Sequence, residues 1–133
     1  MIHGMSPSPE VSVVICTRNR SKLLAEACGS MLEMEAPGLN WELLIVDNDS
    51  TDDTLEQARS IEKAHPERVR VMVEKEVGLS ATRNAGIGAA RGGILAFLDD
   101  DAFPARDWLS GIAAALSEPQ ILCAGGPVEP LFQ

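Results

Sequence analysis

Five short apolar runs punctuate the chain: Val11 to Cys16, Trp41 to Val46, Val69 to Val73, Ile94 to Leu98 and Gln120 to Ala124. Each is shorter than an ordinary helix, and most are rich in the β-branched residues that suit strands. Runs this apolar read as strands buried on both faces. Between them, apolar residues recur at helical spacing. Leu24, Ala27, Cys28, Met31 and Leu32 place a helix over 22–34, with Ser21 as its N-cap. Leu55, Ala58 and Ile61 mark a second, starting near Asp52 or Asp53. A third opens around Ser80, and its small residues Ala85, Gly86, Gly88, Ala89 and Ala90 allow close packing on a sheet. A fourth carries Trp108, Leu109, Ile112, Ala113 and Leu116, with Pro104 at its first position. The order βαβαβαβαβ implies an α/β fold: a Rossmann-like, mostly parallel sheet with right-handed crossovers and helices on both faces.

The length of 133 residues suits one domain, which at this size buries roughly two-thirds of its unfolded surface. Residues 1–10, with their Pro and Ser content, read as a disordered lead-in, and 11–133 as the domain. The net charge of −9 argues against nucleic acid as a partner, since such binders usually present a basic face. An anionic ligand would need a metal or locally placed arginines. No apolar run approaches the roughly 20 residues that span a bilayer. Three cysteines, Cys16, Cys28 and Cys123, lie in apolar segments. An odd number so placed reads as reduced core thiols in a cytoplasmic setting. His3 and His65 have no metal-ligand spacing and read as surface residues; Trp41 and Trp108 read as packing residues.

The chemistry gathers at strand ends. Ile94 to Leu98 runs directly into Asp99, Asp100 and Asp101. A parallel sheet collects the C-terminal ends of its strands on one edge, where ligands of open α/β sheets bind. Three loops then share that edge: Thr17 to Arg20, Asp47 to Asp53, and Asp99 to Asp101, with Arg83 near the rim. Adjacent carboxylates repel unless a cation or solvent screens them, so the acidic cluster reads either as a divalent-metal site or as a turn capping the next helix. Mg²⁺ or Mn²⁺ prefers oxygen ligands and shares itself between one or two carboxylates and phosphates. Arginine supplies a planar fork for phosphate oxygens. No GxxxxGK[ST] is present, no GxGxxG follows the first strand, and the run from Asp47 lacks the glycine and glutamate of an EF-hand loop.

VSVVICTRNR, IVDNDSTDDT, GLSATRNAGIGAARGG and ILAFLDDDAFP, in that order, resemble the N-terminal, donor-binding half of family 2 glycosyltransferases, which have the GT-A fold. The resemblance covers about residues 11–128. It implies that Asp99-Asp100-Asp101 is the DxD segment, with Asp101 the first metal ligand and Asp99 the second. It implies further that Asp99 and Asp100 approach the ribose side of a nucleotide, and that Asp47 contacts the base. Thr17, Arg18 and Arg20 would wall the base, and Arg83 of the Arg83-Asn84 pair would face the nucleotide. The implied cofactor is Mg²⁺ or Mn²⁺, and the implied ligand a UDP-, GDP- or dTDP-linked sugar. The implied reaction is inverting transfer to an acceptor hydroxyl. In that family the general base and the acceptor site follow the DxD segment at a distance that falls beyond residue 133. Glu118 and Glu129 are too near it to match. Residues 125–133 accordingly read as leading into further structure, as in a truncated domain, with an exposed sheet edge through which copies could self-associate. Relatives of this family often use lipid-linked acceptors, so an association of the parent protein with a membrane stays open. The alternative reading is a non-catalytic nucleotide- and metal-binding module of the same fold.

Overall fold

The computed structural model describes residues 8–34 and 36–130. Its sheet has four parallel strands: β1 (Val11–Thr17), β2 (Trp41–Asp47), β3 (Val69–Val73) and β4 (Ile94–Phe97). The helices between and after them are α1 (Ser21–Leu32), α2 (Thr54–Ala64), α3 (Leu79–Ala89) and α4 (Trp108–Leu116). In space the strands run β3-β2-β1-β4. The chain therefore grows outward from β1 through β2 to β3, then returns to the other side of β1. The reversal puts a topological switch point between β1 and β4.

Alternation along the strands divides the core in two. Val11, Val13 and Ile15 face the same way as Trp41, Leu43 and Ile45, and pack with Leu24, Cys28 and Met31 of α1, Ala58 of α2 and Leu109 of α4. Burying a side chain such as Leu24 or Met31 completely contributes about 1.5–3 kcal/mol. Val14, Leu44 and Val46 face the opposite side, against Ala85 and Ala89 of α3. The small-residue stripe is what lets α3 approach: a Cβ on Gly86 would stand 2.6 Å from a Val14 methyl. Trp41 is buried, with the Arg68 guanidinium 4.3 Å from its ring centroid.

Several expectations need correction. Ile94 to Leu98 is not buried on both faces. α3 packs mainly over β1 and β2, and Leu95 and Phe97 are exposed while Ala96, on the other face, is buried. Gln120 to Ala124 forms no strand, because none of the four strands pairs with it, and Cys123 is exposed instead of a core thiol. α4 starts at Trp108, after a turn in which the Trp108 N–H donates to Ala105 (3.0 Å), so Pro104 lies in the preceding connection. Ser21 and Ser80 lie inside α1 and α3, whose N-caps are Arg20 and Gly78. Of the lead-in, residues 1–7 lie outside the described residues, as does His3; Glu10 is already tied to the sheet through its N–H to Asn40 (2.7 Å). Among the described residues no strand pairs with the outer edges of β3 and β4.

A buried polar network closes the end of the sheet away from the strands' C-termini. Glu42 accepts from Ser12 Oγ (2.7 Å), from the Arg91 N–H (3.0 Å) and from both Nε and Nη2 of Arg70 (2.8 and 3.0 Å). Gly92 N–H donates to Ser12 Oγ (2.8 Å). Burial alone would push the Glu42 carboxyl up, but the donors from Arg70, Arg91 and Ser12 outweigh it and hold the group below the ordinary glutamate range. A carboxyl whose folded pKa is depressed stabilises fully above its unfolded value, about 4.3, and loses that contribution as pH falls through the lower folded value.

Glu42→Gln lowers unfolding free energy by about 1.5–3 kcal/mol at neutral pH. Urea melts from pH 7 to pH 3 will show the gap to wild type narrowing on acidification; a gap that stays constant refutes the charged network. Gly92→Ala places a methyl 2.6 Å from the Ser12 nitrogen and 2.7 Å from the Val11 carbonyl carbon, both backbone atoms of the central strand. It destabilises by about 1–3 kcal/mol. Gly29→Ala, with nothing within 4 Å of the new methyl in the interior of α1, stabilises by about 0.5–1 kcal/mol. Opposite signs in the same urea assay are the expected result.

Candidate functional site

Register decides what meets at the switch point. Thr17 and Asp47 are opposite each other at the ends of β1 and β2, and Phe97 ends β4 opposite Val14. The chain beyond Phe97 therefore runs alongside Ile15 to Thr17, with the Leu98 N–H still bonded to Val14 (3.1 Å). Three residues on, Asp100 is buried against the end of β1. Its Oδ2 accepts from Thr17 Oγ1 (2.9 Å) and its Oδ1 from Arg20 Nη1 (3.1 Å). The same Arg20 nitrogen is 3.5 Å from Asp101 Oδ2. Asp99 and Asp101 point outward and are exposed.

The other two loops are joined to each other. Arg18 Nη1 donates to the carbonyls of Asn48 (2.6 Å) and Asp49 (3.1 Å). Asn19 Oδ1 accepts from the Thr51 N–H (2.8 Å), and the Arg20 N–H donates to Thr54 Oγ1 (3.0 Å). Asn19 and Asp49 both adopt positive φ, 52° and 55°, the left-handed conformation that Asn and Asp tolerate best after glycine. Asp47 is fully buried. Its carboxylate accepts from the Ser50 hydroxyl (2.6 Å) and the Ser50 N–H (3.0 Å), so it organises its own loop. Asp52 caps the start of α2 by accepting from Thr54, whose hydroxyl and N–H hold the Asp52 carboxyl below its ordinary range. Asp53 is the N-cap residue and makes no side-chain capping bond.

A cavity of about 400 Å³ opens at this point. Thr17, Arg18 and Arg20 after β1, Asn48 after β2, Asp99 and Asp100 after β4, and Gly78, Leu79, Thr82 and Arg83 at the start of α3 line it, together with Val14, Cys16 and Phe97. The fold thus gathers Thr17, Arg18, Arg20, Arg83, Asp99 and Asp100 around one space. Asp47 and Asp101 are not among its lining residues, and neither is Asn84. Arg83 is exposed and in no ion pair among the described residues. Sequence reasoning did not single out Asn48, Gly78 or Thr82. A polar residue directly after a fully buried strand was the available signal for Asn48.

Among the described residues no three His, Cys, Asp or Glu side chains are grouped as a ready metal cage. The side chains that could contribute to a shared ion are those not already taken up. Both Asp100 oxygens are engaged, which leaves the exposed carboxylates of Asp99 and Asp101. Two carboxylates, with phosphate oxygens completing the shell, match the habit of Mg²⁺ and Mn²⁺.

Burial raises the Cys16 thiol; Arg83 opposes that rise, and Asp100 and Asp99 add to it. Burial pushes Cys28 up to about 12. Cys16 is therefore a protonated wall of the cavity and a poor nucleophile at neutral pH.

An open parallel sheet with an acid- and arginine-rimmed crevice at its switch point defines an α/β protein of the class whose ligands bind in such crevices. The chain belongs to glycosyl transferase family 2, whose sequence model matches residues 12–130. It is 34% identical over 124 residues to the glycosyltransferase AglE of Haloferax volcanii, covering 93% of this chain and 41% of AglE. It is 36% identical over 92 residues to a dolichol-phosphate mannosyltransferase of Pyrococcus furiosus, covering 69% of this chain and 26% of that one. Among solved structures it resembles the mannosyltransferase PcManGT of Pyrobaculum calidifontis in complex with GDP-Man and Mn²⁺ (TM-score 0.78, 30% identity, 87% of this chain and 34% of that one). It also resembles S. aureus TarS 1-349 in complex with UDP-GlcNAc (TM-score 0.69, 25% identity, 90% and 37%). The fold is thus the GT-A type, and the chain spans less than half the length of these relatives. No helix among the described residues is long and apolar enough to cross a membrane.

Differential alkylation checks the thiol assignments. With iodoacetamide at neutral pH, mass spectrometry should find Cys123 modified first, Cys16 slowly, and Cys28 only after denaturant is added. Rapid Cys28 modification under native conditions would refute the core placement.

Proposed function

We propose that this chain is the donor-binding part of an inverting glycosyltransferase that uses a nucleotide-diphosphate sugar and Mg²⁺ or Mn²⁺. The observation that carries this reading is the switch-point cavity, whose rim combines Arg18, Arg20 and Arg83 with the carboxylates of Asp99 and Asp100. In a chain of net charge −9, a diphosphate needs such a local concentration of positive charge. The nucleotide lies across the ends of β1 and β2, beside Thr17, Arg18 and the Asp47 loop. The diphosphate lies toward β4, where Arg20 and Arg83 can turn their guanidinium groups to it. Asp101 and Asp99 would hold the metal, which when bound neutralises charge on the departing nucleoside diphosphate. Asp100, fixed by Thr17 and Arg20, sets the direction of its two neighbours. UDP, GDP and dTDP are the nucleotides within this reading; GDP-Man and UDP-GlcNAc accompany the two similar structures.

Transfer also needs a group that takes the acceptor hydroxyl's proton. Among the described residues the cavity's carboxylates are Asp99 and Asp100, and both already have roles. Glu118 and Glu129 are exposed and outside the cavity lining. We assign the base and the acceptor site to residues outside this chain. For this polypeptide alone that same observation favours the second reading, a nucleotide- and metal-binding module without transfer.

Thermal shift with a panel of nucleotide sugars tests the donor reading. At a ligand concentration 100 times Kd, stabilisation should reach about 2.7 kcal/mol. We expect it with at least one of GDP-mannose, UDP-GlcNAc or a dTDP-sugar, and only with Mn²⁺ or Mg²⁺ present. Asp101→Ala should lose most of the metal-dependent shift, and Asp53→Ala should keep it. Equal nucleotide binding by wild type and Asp101→Ala in calorimetry would overturn the metal assignment; no shift with any donor would overturn the site.

A further inference from the structure

One uncharged side chain of the cavity lining ties three segments of the site together. Asn48 follows the last residue of β2 and is 5% exposed. Its Nδ2 donates to the backbone carbonyls of Glu74 (2.9 Å) and Glu76 (2.8 Å). Its Oδ1 accepts from the Gly78 N–H (3.0 Å), and its own backbone N–H donates to the Thr17 carbonyl (2.8 Å). Two carbonyls facing one end of the amide and an N–H facing the other fix its orientation, and only an amide offers both donors and an acceptor in that arrangement. Aspartate at this position would set a carboxylate against two carbonyl oxygens.

The bonded segment, 74–78, is the crossover from β3 into α3. Gly78 has φ 143°, a conformation that favours glycine. Its carbonyl then accepts from the Thr82 hydroxyl (2.6 Å) and N–H (3.1 Å), which sets the first turn of α3. That turn lines the same cavity as Asp99 and Asp100 and leads into Arg83.

We propose that Asn48 is a positioning residue of this site. By pinning the 74–78 crossover to the end of β2 it fixes how far the first turn of α3, and with it Arg83, stands from the acidic end of β4. The inference rests on the donor reading for its consequence and on the three side-chain hydrogen bonds for its mechanism.

Two substitutions in the full chain separate positioning from ligand contact. Asn48→Asp breaks the pin. Gly78→Ala adds a methyl that meets nothing within 4 Å but strains the same backbone turn, leaving every Asn48 atom in place. Amide hydrogen exchange should show protection across residues 75–83 falling about tenfold or more in both variants, while β1 and β2 keep theirs. Calorimetry with GDP or UDP and Mn²⁺ should show both variants binding about tenfold or more weakly than wild type. Unchanged exchange in Asn48→Asp overturns the proposal. So does weak binding in Asn48→Asp with wild-type binding in Gly78→Ala, which would make Asn48 a contact residue. If wild type binds neither nucleotide, the donor reading fails, and the exchange result alone decides whether Asn48 pins the crossover.

Discussion

Everything in this molecule is measured from the parallel pairing of β1. Seven residues of β1 match seven of β2 without a break, and β4 adds to the free side of β1 four residues deep. That offset is the source of the site. Because β4 ends three residues earlier in the register than β2, the chain beyond it continues alongside β1. It therefore delivers Asp100 to Thr17. Central position also explains burial. β1 carries helices on both faces and strands on both edges, so Val11 through Ile15 are withdrawn from water, whereas β4 has one covered face and one covered edge.

Charge management is the second theme. The two ends of the sheet solve the problem of a buried carboxylate differently. At the end away from the site, Glu42 is surrounded by donors that leave it no remaining role. At the site, Asp100 is similarly engaged, but its neighbours Asp99 and Asp101 are left exposed. Among the described residues no buried side-chain nitrogen or oxygen lacks a partner. Under the proposed reading the ligand and its metal would meet the exposed groups Asp99, Asp101 and Arg83, held on a fully satisfied base.

Much of this was legible in the sequence because hydrophobic period and strand-end chemistry are local. Val11–Cys16, Trp41–Val46 and Val69–Val73 announce themselves by composition, and parallel order follows from the intervening helices. The run at Gln120 to Ala124 misleads for the complementary reason: apolar composition supplies the propensity, but a strand also needs a neighbour to bond with. The exposure of Leu95 and Phe97 depends on where α3 lies, which no window of residues around β4 contains. In the aspartate triplet the three letters are identical, and only the direction of each side chain separates the buried, doubly engaged Asp100 from its exposed neighbours. Ser80 reads as a cap by type, yet Asn48 and the freedom of Gly78 start α3 two residues earlier. Asn48 itself is inconspicuous among acids, since its importance lies in three partners 26 to 30 residues away.

The bonds between the Thr17–Arg20 loop and the Asp47–Thr54 loop have a consequence for engineering. Arg18, Asn19 and Arg20 each reach across to the second loop, and two of the residues involved, Asn19 and Asp49, hold left-handed backbone that most side chains resist. The pair therefore behaves as one structural cassette. A homologue's version of either loop, transplanted alone, would arrive with half of its internal contacts missing, whereas both together could be exchanged on an unchanged sheet.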